Sequence, residues 1–288
     1  MPSRPAPAPP WLPYLLSSVR IAVGLLFFQH GAEKIWGFAN GRIDHNFLTM
    51  HGFAGPLEVT GGALLILGLF IRTTAFILCG EMAVAYFSRW APRGFWPISN
   101  GGEEAVICCF LFLWLVTAGG GPWSVDSLIG QARAGSPLKA TIASWEGYTR
   151  SLLRIILAFV FTLHGFRHSF GYFHVSGGRR AAIPMALDGL PPIFGGLEIL
   201  GGVLLFLGLF TRPVAVILCA ELLASYFYSA VPRGVWPIRN GGNEVLLYFL
   251  AFLYFVAAGA GAWSLDHLLQ NRRRKHDSEI SAATPVRT

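Results

Sequence analysis

Residues 57–102 read LEVTGGALLILGLFIRTTAFILCGEMAVAYFSRWAPRGFWPISNGG, and residues 197–242 read LEILGGVLLFLGLFTRPVAVILCAELLASYFYSAVPRGVWPIRNGG. At the fixed offset of 140 these stretches agree at 27 of 46 positions. Chance does not give that, so one unit occurs twice. Upstream, Arg20, His30, Gly31 and Gly37 match Arg154, His164, Gly165 and Gly171 at an offset of 134, which leaves six extra residues in the first loop of the second copy. The copies therefore span 1–130 and 145–270, joined by a polar linker over 131–144 and followed by a basic tail, 271–288, expected to lack regular structure.

The repeated unit is apolar. Of 288 residues, 53% are hydrophobic and 13% charged, with a mean hydropathy of +0.52. That is too little charge for a soluble globule of this length, so lipid is the solvent for most of the chain. Each copy carries four apolar segments, at 14–31, 56–71, 73–90 and 103–119, then 150–165, 191–211, 213–230 and 243–260. They are short for a span of about 20 residues, but flanking Trp and Tyr extend them into the interface. The expected fold is an all-α integral membrane protein with eight transmembrane helices, arranged as two four-helix bundles. An even number of crossings returns the chain to its starting side, so the repeats are parallel.

The net charge is +7 and the pI about 9.5. Lys and Arg stand singly between apolar runs except at Arg272, Arg273, Arg274 and Lys275, a cluster that suits anionic headgroups, at about 1 kcal/mol each, better than nucleic acid. The side with both termini carries eleven Lys and Arg, thirteen with Arg20 and Arg154, against nine on the opposite side. Positive-inside reasoning places both termini in the cytoplasm. Met1–Pro13 has no basic region leading into a short apolar run, so the first helix is expected to be retained. Cys79, Cys108, Cys109 and Cys219 lie inside apolar runs without metal-ligand spacing and read as packing residues.

Ionisable groups inside spans cost enough that each needs a partner or a task. Arg20 with Glu81, and Arg154 with Glu221, fall midway along first and third segments and are expected to pair, either to fix helix packing or to present charge to a ligand while the acids pass protons. A second constellation gathers at the end opposite the termini: His30, Glu33, Lys34, Glu58, Arg93, Trp96, Asn100 and Glu104, with His164, His168, Glu198, Arg233, Trp236, Asn240 and Glu244 in the other copy. The Pro-Arg-Gly and Trp-Pro-Ile loops either cap helices or offer aromatic and Arg surfaces to a flat ring. His30 and His164 are expected to bond Glu58 and Glu198 and to suit proton exchange with a quinol. Haem is disfavoured because no further His repeats in helical register, and no metal site, Walker motif or nucleophile elbow is present.

The series Arg20, His30-Gly31, Lys34, Glu58 with Gly61-Gly62, Leu67-Gly68-Leu69, Arg72, Ala85, Asn100-Gly101-Gly102, Glu104, Gly119 to Gly121, Ser124 and Asp126 resembles the DoxX family of four-helix membrane proteins. Arg154, Glu198, Gly201-Gly202, Gly208, Arg212, Asn240-Gly241-Gly242, Glu244, Ser264 and Asp266 resemble a second complete module, in which His168 and Asn243 replace Lys34 and Glu103. The family takes its name from the membrane subunit of a thiosulfate:quinone oxidoreductase. The resemblance implies a quinone-interacting oxidoreductase component of a bacterial cytoplasmic membrane, with a partner redox protein or small reductant as electron source. Fused halves standing in for a dimer imply a site near their interface. A membrane scaffold, an enzyme acting on an isoprenoid or other lipid, and association with further copies of the chain stay open.

Overall fold

The computed structural model describes residues 9–40, 43, 49–130, 137–173 and 192–283. Arg42, Arg179, Arg180, the first part of the linker and most of the enlarged loop of the second copy lie outside the described residues. Among the described residues every regular element is helical. The first copy holds α1 (Leu12–Trp36), α2 (Met50–Leu67), α3 (Ile71–Ala85), a short α4 (Pro97–Asn100) and α5 (Glu103–Ala118). After α6 (Val125–Gly130) and α7 (Pro137–Ser144), the second copy repeats the pattern as α8 (Glu146–Phe170), α9 (Pro192–Leu207), α10 (Thr211–Ser225), α11 (Pro237–Asn240) and α12 (Asn243–Ala258). The basic tail, expected to lack regular structure, is helical over residues 271–283, which end α13 (Leu265–Ala283) and are rich in residues of high helix propensity, while residues 284–288 lie outside the described residues.

Local chemistry sets the ends of these helices. Pro13 occupies the first turn of α1, where its missing N–H costs nothing. Gly68 ends α2 in the left-handed region at φ 73°, and its N–H returns to the carbonyls of Leu64 and Leu65. Any side chain at Gly68 would also run into Ser124. At the other end of α3 the helix widens into a π-helical turn, Tyr86–Trp90, before a 3-10 turn at Ala91–Arg93, and the second copy widens identically at Tyr226–Ala230. Such widenings interrupt the regular ladder and are frequent at functional sites.

Helices α1 and α2 pack together, as do α3 and α5, and the same pairs recur as α8 with α9 and α10 with α12. The halves meet through α1, α5, α8 and α12: α5 lies against α8 and α12, and α1 against α12. This central group holds the core, including Phe112, Trp114, Leu157, Phe161, Phe252 and Phe255. Phe76, Ile77 and Val84 on α3, and Leu200, Phe206, Val216 and Ile217 on α9 and α10, are exposed instead. An apolar exterior of that extent is what a lipid-facing surface requires. Leu12–Trp36, Pro137–Phe170 and Thr211–Arg233 are long and apolar enough to cross a membrane, with shorter apolar helices at Gly52–Leu67, Ile193–Leu207 and Asn243–Ala258.

Candidate functional site

The expected Arg20–Glu81 and Arg154–Glu221 pairs are not formed. Arg20 lies near the terminal end of its bundle, and its guanidinium is used up on backbone. It donates from Nε to Gly120 O at 2.9 Å, from Nη1 to Leu65 O and to Ile66 O at 2.9 Å, and from Nη2 to Trp123 O. Arg154 repeats the arrangement with Ala260, Leu205, Phe206 and Trp263. The reason is the helix terminus. At the ends of α2 and α9 the buried carbonyls of Ile66 and Phe206 are left without a backbone donor among the described residues and those of Leu65 and Leu205 have only the cap amides of Gly68 and Gly208, so a five-donor fork outcompetes a distant carboxylate. Arg72 serves α5 in the same way, through Val116 O and Thr117 O.

A carboxylate completes this knot from the other side. Asp126 Oδ1 and Oδ2 accept from Phe70 N and Ile71 N at 2.8 Å each, and Asp266 accepts from Phe210 N at 2.8 Å and Thr211 N at 2.9 Å. Each Asp thus caps a helix distant in sequence, at the end where the dipole favours an anion. Phe70 and Phe210 are held at φ 52° and 49°, a conformation uncommon outside glycine, and the capped amides help to fix it. Arg20, Arg154, Asp126 and Asp266 are therefore architectural groups.

The acids and imidazoles gather at the opposite end, and they do so across the boundary between the copies. His164 Nε2 of α8 lies 2.6 Å from Glu103 Oε1 of α5, and Tyr248 of α12 donates to that same oxygen at 2.7 Å. The counterpart contact joins His30 Nε2 to Asn243 Nδ2 at 3.1 Å, while Glu104 meets His30 at 2.6 Å and also accepts from Asn243. His30 and His164 thus bond the acids that open α5, correcting the expected partners Glu58 and Glu198. Those two are taken by Lys34 and by His168 Nδ1, the latter at 2.7 Å.

Helical spacing explains the exchange. Positions 30 and 34, like 164 and 168, stand one turn apart on one face, so the upper residue reaches the neighbouring helix of its own copy and the lower one reaches the central interface. Glu81 lies within electrostatic reach of Glu58 and Lys34, and the Glu221 carboxyl faces that of Glu198. Neither oxygen of Glu81 or Glu221 has a donor among the described residues. His164 Nδ1, Glu198 Oε1, Glu58 Oε2 and Asn243 Oδ1 are likewise buried without a hydrogen-bond partner among the described residues. Buried polar atoms are ordinarily bonded, and their concentration here makes this end of the bundle the candidate site. Glu104 and Glu244 both lie in electrostatic reach of Cys108 at the centre of this region.

The connecting loops lead into α5 and α12 at the same end. Asn100 ties its loop together, donating to Gly94 O at 2.8 Å and accepting from Gly102 N at 2.8 Å, and Asn240 does the same with Gly234 and Gly242. Both amides are spent inside the loop rather than held out to a ligand. Arg93 stacks 4.6 Å over Trp90. Trp236 meets Phe38 of the first copy at 4.5 Å, and Trp96 meets Phe173 of the second at 5.3 Å. Each Trp-Pro-Ile loop therefore leans on the other copy, and Arg239 adds an ion pair to Glu33 at 3.1 Å. Arg233 stands in the equivalent 3-10 turn at Val231–Arg233. Among the described residues no group of three or more His, Cys, Asp or Glu is arranged to hold a metal.

The DoxX family profile matches residues 15–89 and 150–229, just over half of the chain. The chain belongs to the DoxX family. One matched region falls in each copy, so this DoxX-family chain is a duplicated module and a multi-pass membrane protein. An uncharacterized protein of Haemophilus influenzae is 44% identical over 132 residues, which is 44% of this chain and 94% of that relative. An uncharacterized membrane protein of Mycobacterium tuberculosis is 27% identical over 132 residues, 42% of this chain and 80% of the relative. Both relatives are thus about one module long. No solved structure matches the chain.

Sequence reading of this DoxX-family chain missed Glu103 and Tyr248 as site residues, and noted Asn243 only as a departure from the family pattern. The available signal was positional. Glu103 and Asn243 differ between otherwise matching copies, as residues do when they face each other unequally across a pseudo-symmetric interface.

Proposed function

We propose that this chain is the membrane component of a quinone-linked oxidoreductase and that a quinone-class ligand binds where α1, α5, α8 and α12 meet, at the end opposite the termini. One observation carries the reading: buried imidazoles and carboxyls of both copies converge there with polar atoms left unpaired, His164 Nδ1 and Asn243 Oδ1 among them. A quinone head presents two carbonyl acceptors on a flat apolar ring. Imidazole N–H groups can donate to those carbonyls, neighbouring carboxyls can hold the protons that reduction consumes, and Trp96 and Trp236 can wall the ring. The isoprenoid tail would leave between lipid-facing helices.

The same reading takes α1, α2, α3, α5 and their four counterparts as eight crossings. Helix α1, with 25 residues, spans about 37 Å at about 1.5 Å per residue, enough for a core of about 30 Å. Helix α5, with 16 residues, is about 24 Å long and is extended by Trp and Gly-rich turns at headgroup depth. Both termini would face the cytoplasm of a bacterial inner membrane. A cysteine-labelling map tests this: reagents confined to the outside should reach the Arg93 and Arg233 loops, and labelling from the cytoplasm alone would reverse the orientation.

The binding test is direct. The full chain, purified in mild detergent, should release quinone on solvent extraction, identified by absorbance and mass, and Glu103→Gln or His164→Gln should lower the amount per folded protein. Quinone-free wild-type protein that also fails to take up added quinone would end the proposal. A scaffold within a redox complex is the second reading, favoured by the complete commitment of Arg20, Arg154, Asn100 and Asn240 to internal bonds. It predicts a co-purifying partner and no quinone. Release of some other isoprenoid or lipid would point instead to an enzyme acting on that lipid.

A further inference from the structure

Cys79 on α3 and Cys109 on α5 bring their Sγ atoms to 3.7 Å, and Cys109 also approaches the Cys79 carbonyl at 3.5 Å. Sequence spacing gives no hint of this, since 30 residues separate them. Both are only partly buried, and α3 leaves Phe76 and Ile77 exposed on its apolar face, so the pair sits in a seam reachable from lipid. The second copy supplies an internal comparison. Position 219 keeps its cysteine, but the counterpart of Cys109 is Phe249, and Cys219 Sγ has only the Phe249 carbonyl near it, at 3.8 Å. Packing alone would be served equally in both copies by either residue pair. The first copy alone retains two thiols in contact.

We infer that Cys79 and Cys109 are a redox-active dithiol that closes to a disulfide between α3 and α5 and reduces a quinone-class acceptor arriving from the lipid. Two S–H bonds break and one S–S bond forms. The two electrons and two protons released convert one quinone to one hydroquinone, so the step balances. Closure needs the sulfurs to move from van der Waals contact to about 2.05 Å, and the Cβ atoms to come within about 4.5 Å, adjustments that side-chain rotation across one helix seam can supply. Thiolate is the attacking form, so the reaction accelerates as pH rises toward the thiol range. The acceptor is taken from the function proposed above; the dithiol itself rests on the geometry alone.

The test uses the full chain, reduced and reconstituted in lipid nanodiscs, with a short-chain ubiquinone as probe and diamide as a thiol-specific oxidant in a parallel arm. Titratable thiols should fall from the four cysteines present to half that number, with one hydroquinone formed per disulfide. Peptide mass mapping should find Cys79 joined to Cys109. Cys79→Ser or Cys109→Ser should abolish both signals, while Cys108→Ser and Cys219→Ser retain them. No Cys79–Cys109 peptide in either arm overturns the inference, and closure by diamide with quinone inert overturns it as well. Quinone content measured on the same sample separates the two proposals: bound quinone without a disulfide removes the dithiol and leaves the proposed function standing.

Discussion

His164 and Glu103, 61 positions apart and in different copies of the module, place Nε2 and Oε1 2.6 Å from each other in the buried centre of the protein. Tyr248 donates to the same oxygen at 2.7 Å. One carboxylate thus satisfies two groups from the other copy, and the halves are joined by a shared acceptor as well as by apolar packing. Glu103→Ala would strand a buried imidazole and a buried phenol, which costs about 3–5 kcal/mol for a broken buried pair. Glu103→Gln keeps an acceptor and should lose less than half of that. Thermal unfolding in detergent, with the two variants side by side, measures the difference; equal losses would show that the oxygen is not what matters.

The guanidinium of Arg154 makes a different kind of prediction. Its bonds reach three segments of the second copy, at Leu205 and Phe206, at Ala260 and at Trp263. Lysine keeps the charge but cannot fork. With hydrogen bonds to charged groups worth about 1.5–3 kcal/mol each, Arg154→Lys should lose at least about 3 kcal/mol in stability. Quinone content per folded molecule should not change, because no donor of Arg154 faces the site. Loss of ligand at unchanged stability would return Arg154 to the binding machinery.

Asp266 caps α10 through two amides. Asp266→Ala should cost about 1–2 kcal/mol, the upper part of the range for a lost cap, and Asp266→Asn less, since one acceptor oxygen survives. Because Phe210 sits at positive φ, Phe210→Gly in the Asp266→Ala background should recover part of the loss by removing the penalty of a non-glycine residue there. Unfolding midpoints of the single and double variants decide it.

Duplication and helical content were legible because periodicity and repetition are written locally: 27 matches in 46 positions need no coordinates. Glu58, Glu198, His30 and His164 could be placed at one end by counting residues along helices. Their partners could not, because a sequence shows which groups need satisfying but not which of several candidates lies within 3 Å. Arg20 is the plainest case. Pairing it with Glu81 treats charge as the scarce quantity, whereas in lipid the pressing need is at the end of α2, where the Ile66 carbonyl has no backbone donor among the described residues and the Leu65 carbonyl only the cap amide of Gly68. The thiol contact between Cys79 and Cys109 was hidden for a related reason, since helix packing sets it and local spacing does not.

The two copies are unequal where it matters for proton movement. In the second, Glu221 faces Glu198, which bonds His168, whose ring lies 6.1 Å from His164. Every member of that row offers an oxygen or an imidazole nitrogen that can carry a proton. In the first, Lys34 stands in place of His168 and holds Glu58 as an ion pair, so the corresponding row ends on a group with hydrogen-bond donors only and no acceptor nitrogen. If the proposed quinone chemistry draws protons along these rows, Glu221→Gln should lower the quinone reduction rate at least tenfold, whereas Glu81→Gln should change it less than threefold. Lys34→His should make the first row resemble the second and raise the sensitivity of the rate to Glu81→Gln. Equal effects at positions 81 and 221, measured on reconstituted protein at matched folded concentrations, would show that the lysine does not distinguish the copies.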